Sequence, residues 1–251
     1  MRDLFGWAGG EKLNYLSACE LIATDDTAFS NFKKNPAYTP ILEHVSVELG
    51  YMYLALLNDE TKKLIPEAHS INDTKGNPLV MSTPFGVVSP TTVRYLKVLQ
   101  DLKSIFKLTE ISSVVEIGAG YGGQARLLMS FFNNIKSYTC FDLKEPAQLQ
   151  NRYNEDLEGF KSFPFSEDLG SIQADLVISN YAFSELTKKV QDTYIEYVLN
   201  NCPRGYIMYN PGASWEYPIS EVVVRLTKSV DLMLDHPMNN FYPDNRIIYW
   251  S

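Results

Sequence analysis

The sequence predicts an open α/β fold, a largely parallel sheet wound on both faces by helices and preceded by a helical extension. Three observations carry that expectation. Val114 to Ile117 is a short, mostly β-branched run of the kind buried in a parallel sheet. Gly118, Gly120 and Gly123 follow at G-x-G-x-x-G spacing, and Gln124 to Phe132 continues with helical periodicity. Beyond that point, short apolar runs alternate with helical patterns to the end of the chain. In such a unit the first glycine permits the tight turn, the second lets a ligand approach the backbone, and the third packs helix on strand.

Taken in order, residues 1 to about 60 read as helical. Glu11 to Ile22 places Leu13, Leu16, Leu21 and Ile22 on one side, and Asp25 or Asp26 caps a piece ending near Lys34. Thr39-Pro40 is a cap followed by a first-turn proline, and the helix it opens is expected to reach Leu57, with Gly50 as its weak point. Asn58 to Pro84 carries several breakers and little periodicity, so it reads as an irregular but ordered cover rich in Leu79, Val80 and Met81. This divides the chain into a helical substrate or lid region, 1–84, and a sheet domain, 85–251.

Ser89-Pro90 is a second cap-and-proline start, with Leu96, Leu99, Leu102, Ile105 and Phe106 at helical spacing. After the glycine loop come a strand from Tyr138 to Phe141 ending in Asp142, a helix over Pro146 to Asn154, and a weak strand near Phe160 to Phe165. Asp175 to Ser179 is the fourth strand, Val190, Tyr194 and Val198 mark a helix, and Gly205 to Tyr209 is the fifth strand. Ile219 to Lys228 reads as helix, Val230 to Leu234 as extended, and Arg246 to Trp250 as a closing strand.

The chain has 251 residues and a net charge of −8, with basic residues grouped no further than pairs such as Lys33-Lys34 and Lys188-Lys189. That argues against nucleic acid as partner. The start, Met1 to Trp7, lacks the apolar core of a signal peptide, and no run is long enough to span a bilayer. Cys19, Cys140 and Cys202 are odd in number and widely spaced, so buried, reduced thiols and a cytoplasmic location are expected. Aromatic residues that look exposed would allow a homodimer. No His or Cys cluster has zinc spacing, so no metal is indicated, although a magnesium site of scattered carboxylates would leave no compact signature.

Glu116 lies two residues before the first glycine, where an anion repels a pyrophosphate and suits a cationic ligand with a free ammonium. Asp142 follows the first glycine by 24 residues, near the spacing of a carboxylate that holds ribose hydroxyls. Strand acid, glycine loop and ribose acid together resemble the class I S-adenosylmethionine-dependent methyltransferases. That resemblance implies a doubly wound Rossmann-like methyltransferase sheet of seven strands, the last antiparallel. The expected cofactor site comprises Glu116, Gly118, Ala119, Gly120, Tyr121, Gly123, Gln124, Asp142, Leu143, Asp168, Asn180 and Tyr181.

Methyl transfer to a hydroxyl is an in-line displacement that needs alignment and a base to take the proton. Glu185, His236 and His44 are candidate bases, although Glu185 could equally hold a sugar hydroxyl or cap a helix. Thr92, Arg94 and Tyr95, early in their helix, could meet the methionine carboxylate or the substrate, or form a solvated face. Tyr181 and Phe183 could cage the cation or serve as core. Asn210 closes the fifth strand as a further substrate contact.

The run Ser89-Pro-Thr-Thr-Val-Arg-Tyr95, the loop Val115-Glu-Ile-Gly-Ala-Gly-Tyr-Gly-Gly-Gln124 and the segment Ile178-Ser-Asn-Tyr-Ala-Phe-Ser-Glu185 resemble the sugar O-methyltransferase family. The likeness extends to Glu43-His-Val-Ser46, Arg204-Gly-Tyr206 and Asn210, and so covers most of the chain. It implies S-adenosylmethionine as methyl donor, S-adenosylhomocysteine as product and a glycan or glycosylated metabolite as acceptor. Asp142-Leu-Lys144 stands where the family pattern has Asp-Leu-Pro, a change that leaves the ribose role intact. Two other readings compete. An NAD-dependent sugar reductase or epimerase shares the glycine spacing, but no Tyr-x-x-x-Lys pair occurs. The third is a non-catalytic protein that has kept the fold.

Overall fold

A computed structural model describes residues 9–212 and 217–251, with side chains from residue 14 onward. The readings made on residues 1–7 and on the Leu13 side chain lie outside this range. A hairpin, β1 (Met81–Thr83) and β2 (Gly86–Val88), precedes seven further strands. These are β3 (Ser113–Ile117), β4 (Ser137–Asp142), β5 (Phe160–Pro164), β6 (Leu176–Asn180), β7 (Arg204–Tyr209), β8 (Asp231–Leu234) and β9 (Arg246–Trp250). They form one sheet in the order β5-β4-β3-β6-β7-β9-β8.

The first five sheet strands run parallel, and β9 pairs antiparallel with both β7 and β8. This is the doubly wound, seven-stranded Rossmann-like sheet of the methyltransferase type that the sequence resemblance implies. Alternate residues of β3 explain the two layers. Val114 faces a core shared with Leu99 and Leu102 of the helix Pro90–Ile105 and Leu128 of the helix Gly123–Phe131. Val115 and Ile117 face the opposite core, with Val190 and Tyr194 of the helix Lys188–Tyr197 and Val222 of the helix Ile219–Arg225. The strand order reverses between β3 and β6, and a crevice opens at the carboxyl ends of these strands.

The extension is more broken than its periodicity suggests. The helix expected from Thr39 to Leu57 is two pieces, Thr39–Leu42 and Val47–Leu56. The break falls at residues 43–46, where Thr91 donates to Glu43 Oε2 (2.9 Å) and Ser46 caps the second piece through Leu49 N (3.2 Å). Gly50 is no weak point. It lies inside the second helix, where a Cβ would come within 2.9 Å of Pro90 Cβ, so glycine permits close helix packing.

Asn58 to Pro84 is likewise not structureless. It holds the helices Asp59–Lys62 and Ile65–Ala68, a π-turn His69–Asp73 and most of the hairpin. Buried Asp73 organises the π-turn: its Oδ1 accepts from Ser89 Oγ (2.7 Å) and Thr92 Oγ1 (2.6 Å), and its Oδ2 from Ser89 N (2.7 Å). The start of the helix Pro90–Ile105 is thereby tied to the extension.

A third core fills the space between extension and sheet domain. Tyr15, Phe32, Tyr38, Tyr95, Tyr121 and Tyr153 pack there, with the Tyr121 and Tyr153 centroids 4.9 Å apart. Lys33, of the Lys33-Lys34 pair, is buried in this cluster with Nζ 4.3 Å from the Tyr121 ring. Its ammonium donates to Asn72 O (2.6 Å), and burial pushes its pKa down to about 8. All three cysteines are free and buried. Among the described residues no helix is long and apolar enough to cross a membrane.

Candidate active site

A cavity of about 290 Å³ lies over the tips of β3, β4 and β6. The glycine loop forms its floor. Gly118 has φ +70° and approaches Ala182 so closely that a Cβ would lie 2.1 Å from the Ala182 Cβ, so no side chain fits. Gly120 (φ +61°) has only Leu42 within reach of a Cβ, at 3.6 Å, and leaves its backbone open to the cavity. Gly123 departs from the expected helix-on-strand role and packs between Tyr95 and Tyr121.

Glu116 and Asp142 face this cavity from adjacent strands. Glu116, 1% exposed, accepts from Tyr138 Oη (2.8 Å) and Asn180 Nδ2 (3.2 Å). Burial pushes its pKa up to about 7 against the pull of these two hydrogen bonds. Asp142 accepts from Leu143 N (2.7 Å) and Gln150 Nε2 (2.8 Å), and burial raises it to about 6. Neither has an ion-pair partner among the described residues.

Sequence reasoning missed Gln150. Its amide also donates to Gly120 O (2.9 Å), while its oxygen accepts from Ser162 Oγ (2.5 Å) of β5. One side chain thus fixes Asp142 against the glycine loop. A signal was present: Gln150 sits on the helix stripe Pro146, Leu149, Tyr153 that packs inward, where a polar residue needs partners.

The opposite wall follows β6. Tyr181 lines the cavity with φ +71°, a costly conformation for a tyrosine. It is held by its own N–H to Met208 O (3.1 Å), by Ser184 Oγ donating to its carbonyl (2.7 Å), and by its hydroxyl donating to Asp235 Oδ2 (2.6 Å). Glu185 also lines the cavity, its side chain open to the cleft and without a hydrogen bond among the described residues. The surrounding protein raises its pKa.

From the extension come Tyr15, Ile41, Leu42 and His44, and from the helix Pro90–Ile105 come Arg94 and Tyr95. His44 sits in the break between helices, not on a helix as expected. Its Nδ1 is 3.0 Å from Ile41 O, which assigns the ring proton to Nδ1 and leaves Nε2 as an acceptor. Burial and the neighbouring Arg94 lower its pKa, so the ring is neutral at pH 7. Arg94 is buried beside the Tyr95 ring, with no carboxylate within ion-pair distance among the described residues.

Of the residues singled out in the sequence, the cavity therefore gathers Glu116, Gly118, Ala119, Gly120, Asp142, Leu143, Asn180, Tyr181, Glu185, His44, Arg94, Tyr95 and Asn210. Others lie elsewhere. Tyr121 is buried in the aromatic core, where its hydroxyl accepts from Asn72 Nδ2 (3.0 Å), and Gln124 is buried with its amide toward Tyr95 O (3.5 Å). Phe183 is wholly buried near Tyr209, and Thr92 is consumed by Asp73. Asp168 is in an exposed turn, and His236 is exposed beyond the cavity lining. Met238, Tyr242 and Asn245, from the link between β8 and β9, complete the lining. Among the described residues no three His, Cys, Asp or Glu side chains stand together as a metal site would need.

Fold and cavity define a Rossmann-like α/β protein with a methyltransferase-type sheet and a nucleoside-sized site at its switch point. No family model and no curated protein matches the chain in sequence. Among solved structures it is similar to the methyltransferase domain of bacterial CtHen1-CN, at 13% identity over 63% of this chain and 97% of that one, TM-score 0.48. It is also similar to a SAM-dependent methyltransferase from Aquifex aeolicus, at 13% identity over 60% and 87%, TM-score 0.48. An O-methyltransferase family protein from Burkholderia thailandensis follows, at 12% identity over 63% and 56%, TM-score 0.47.

Proposed function

We propose that this protein transfers a methyl group from S-adenosylmethionine to a hydroxyl of a sugar. The observation that carries the reading is the pair of carboxylates, buried Glu116 and half-buried Asp142, facing one cavity from either side of an open glycine turn with no ion-pair partner among the described residues. Two carboxylates without an ion pair in a low-dielectric site favour a cationic ligand, the more distant Arg94 charge only partly offsetting Glu116. The residues fit the donor. Asp142, braced by Gln150, would accept from both ribose hydroxyls, and Glu116 would receive the ammonium. Arg94, which has no carboxylate within ion-pair distance among the described residues, suits the methionine carboxylate.

The donor supplies a methyl carried on a positively charged sulfur, which becomes neutral as the methyl leaves. The protein holds donor and acceptor in line, keeps water out and removes one proton. We assign that proton to His44 Nε2, because the main chain already fixes the ring through Nδ1. Glu185 faces the same space, but among the described residues no hydrogen bond orients its carboxyl. The extension, residues 1–84, acts as the lid region, contributing Tyr15, Ile41, Leu42 and His44 to the wall. A sugar as acceptor rests on the resemblance read in the sequence and on the polar, largely uncharged lining at Asn210 and Asn245.

Asp142→Ala removes two charged hydrogen bonds to ribose, so donor affinity is expected to fall about a hundredfold. Isothermal titration with S-adenosylmethionine reads this directly; equal affinity for variant and wild type would refute the ribose contact.

A further inference from the structure

The short helix Ala182–Glu185, just after β6, carries a carboxylate without a counter-ion among the described residues. Glu185 lines the cavity with its side chain open to the cleft. The described lining holds three carboxylates, Glu116, Asp142 and Glu185, against the single guanidinium of Arg94, and His44 is neutral. Glu116 and Asp142 are assigned to the donor, whose one net positive charge lowers the excess of negative charge without removing it. The remainder sits on Glu185.

The cations nearest in sequence pass Glu185 over. Lys188 and Lys189, at the start of the next helix, turn instead to Asp192 (3.0 Å) and Glu167 (2.6 Å). Burial alone raises the Glu185 pKa, and no cation among the described residues draws it back down. The backbone that carries this carboxylate is fixed. Phe183 N donates to Ser179 Oγ (3.0 Å), and Ser184 Oγ donates to Tyr181 O (2.7 Å) while accepting from Asn210 N (3.2 Å).

That last bond sets Asn210, also in the lining, close to Glu185. Asn210 Oδ1 accepts from Gly212 N (3.0 Å), so its NH₂ faces away from that turn and has no partner among the described residues. One wall of the cavity thus presents an unpaired anion next to an unused N–H donor.

We infer that Glu185 and Asn210 form an acceptor subsite for an amino sugar, its ammonium donating to the Glu185 carboxylate and a neighbouring hydroxyl oxygen accepting from Asn210 Nδ2. The inference deepens the methyl-transfer reading and rests on it in calling this ligand the acceptor. Its chemistry follows from the charges. A carboxylate without a counter-ion gains more from an ammonium than from a neutral hydroxyl, and it repels a uronate or a sugar phosphate. Arg94 is the one attraction the lining offers such an anion, and in the donor complex the methionine carboxylate takes it. An ammonium has no lone pair to accept a methyl group. The group that anchors the ring is therefore not the group that is methylated.

The test titrates the protein, saturated with S-adenosylhomocysteine, with methyl glucoside, its analogues bearing an amino group at the second, third or fourth carbon, the N-acetyl form of the first, and methyl glucuronide. Competition saturation-transfer NMR reads the affinities. At least one amino glycoside is expected to bind about tenfold tighter than the glucoside, and the N-acetyl form and the glucuronide no tighter than the glucoside. Glu185→Gln is expected to bring that amino glycoside to the level of the glucoside, with S-adenosylhomocysteine affinity held within about threefold. Asn210→Ala is expected to weaken amino glycoside and glucoside alike, by roughly three- to tenfold. Unchanged amino-glycoside affinity in either variant overturns the subsite. So does a wild type that prefers no amino glycoside or that binds the glucuronide tightest, and a misfolded substitution does not rescue the idea from that result. Failure of wild type to bind S-adenosylhomocysteine overturns the methyl-transfer reading instead. The same panel without S-adenosylhomocysteine, wild type against Glu185→Gln, then still judges the subsite.

Discussion

Glu116→Gln is expected to make the protein more stable and less able to bind its donor. Folding raises this carboxyl from 4.5 to about 7, chiefly through burial. Between those values the native state keeps a proton that the unfolded chain has lost, so Glu116 lowers stability as pH rises through that window, and the loss is complete above it. The difference corresponds to roughly 3 kcal/mol at pH 8. Glutamine keeps the shape and both bonds, its oxygen accepting from Asn180 and its amide donating to Tyr138 Oη. Thermal unfolding at pH 8 should therefore show a melting temperature higher by several degrees, with little difference at pH 4.

Donor affinity should move the other way, falling roughly ten- to a hundredfold as a charge-assisted hydrogen bond is lost. A linked prediction concerns wild type. A bound cation pulls the proton off Glu116, so binding releases a proton below about pH 7 and affinity should weaken as pH falls. Asp142, raised to about 6, adds to the same slope. A pH-independent dissociation constant between pH 5 and 7 would sink the assignment of both carboxylates. Such opposition between stability and binding is what a site built for a charged ligand entails.

The sheet and the cavity floor, with Glu116 and Asp142 at their strand tips, were legible because their signals are local. Val114 to Gln124 holds strand, turn and helix start within a few residues, and Asp142 closes a second strand in one step. The wall that carries His44 was not, because its geometry depends on distant partners. Helix 39–57 breaks where Glu43 meets Thr91, 48 positions away, and that break places His44 on the cavity. Residues 58–84 become ordered around Asp73 because its ligands lie beyond the segment, at Ser89 and Thr92. Phe183 and Tyr181, two positions apart, part company because the positive φ of Tyr181 turns one ring to the cavity and the other to the core. Asp235 and Asn245 gave no signal, since a polar residue in a strand link reads as solvated until its burial is seen.

The second large effect concerns the proton. His44→Gln is expected to lower kcat by about a hundredfold to ten-thousandfold, the span of a lost general base, with donor affinity nearly unchanged. The lowered pKa of His44 keeps the imidazole unprotonated at neutral pH, so wild-type turnover should be flat there and decline only in acid. Arg94 contributes to that depression, and its positive charge disfavours a second one on the ring. Glu185→Gln should cost roughly tenfold at most, because an unheld carboxylate offers little preorganised basicity. The acid limb should vanish in His44→Gln and persist in Glu185→Gln. If instead the glutamate variant abolishes turnover and the histidine variant only weakens the acceptor, the roles are exchanged. His44 then belongs to the wall that covers the acceptor, and the break at residues 43–46 shapes the cavity without doing its chemistry.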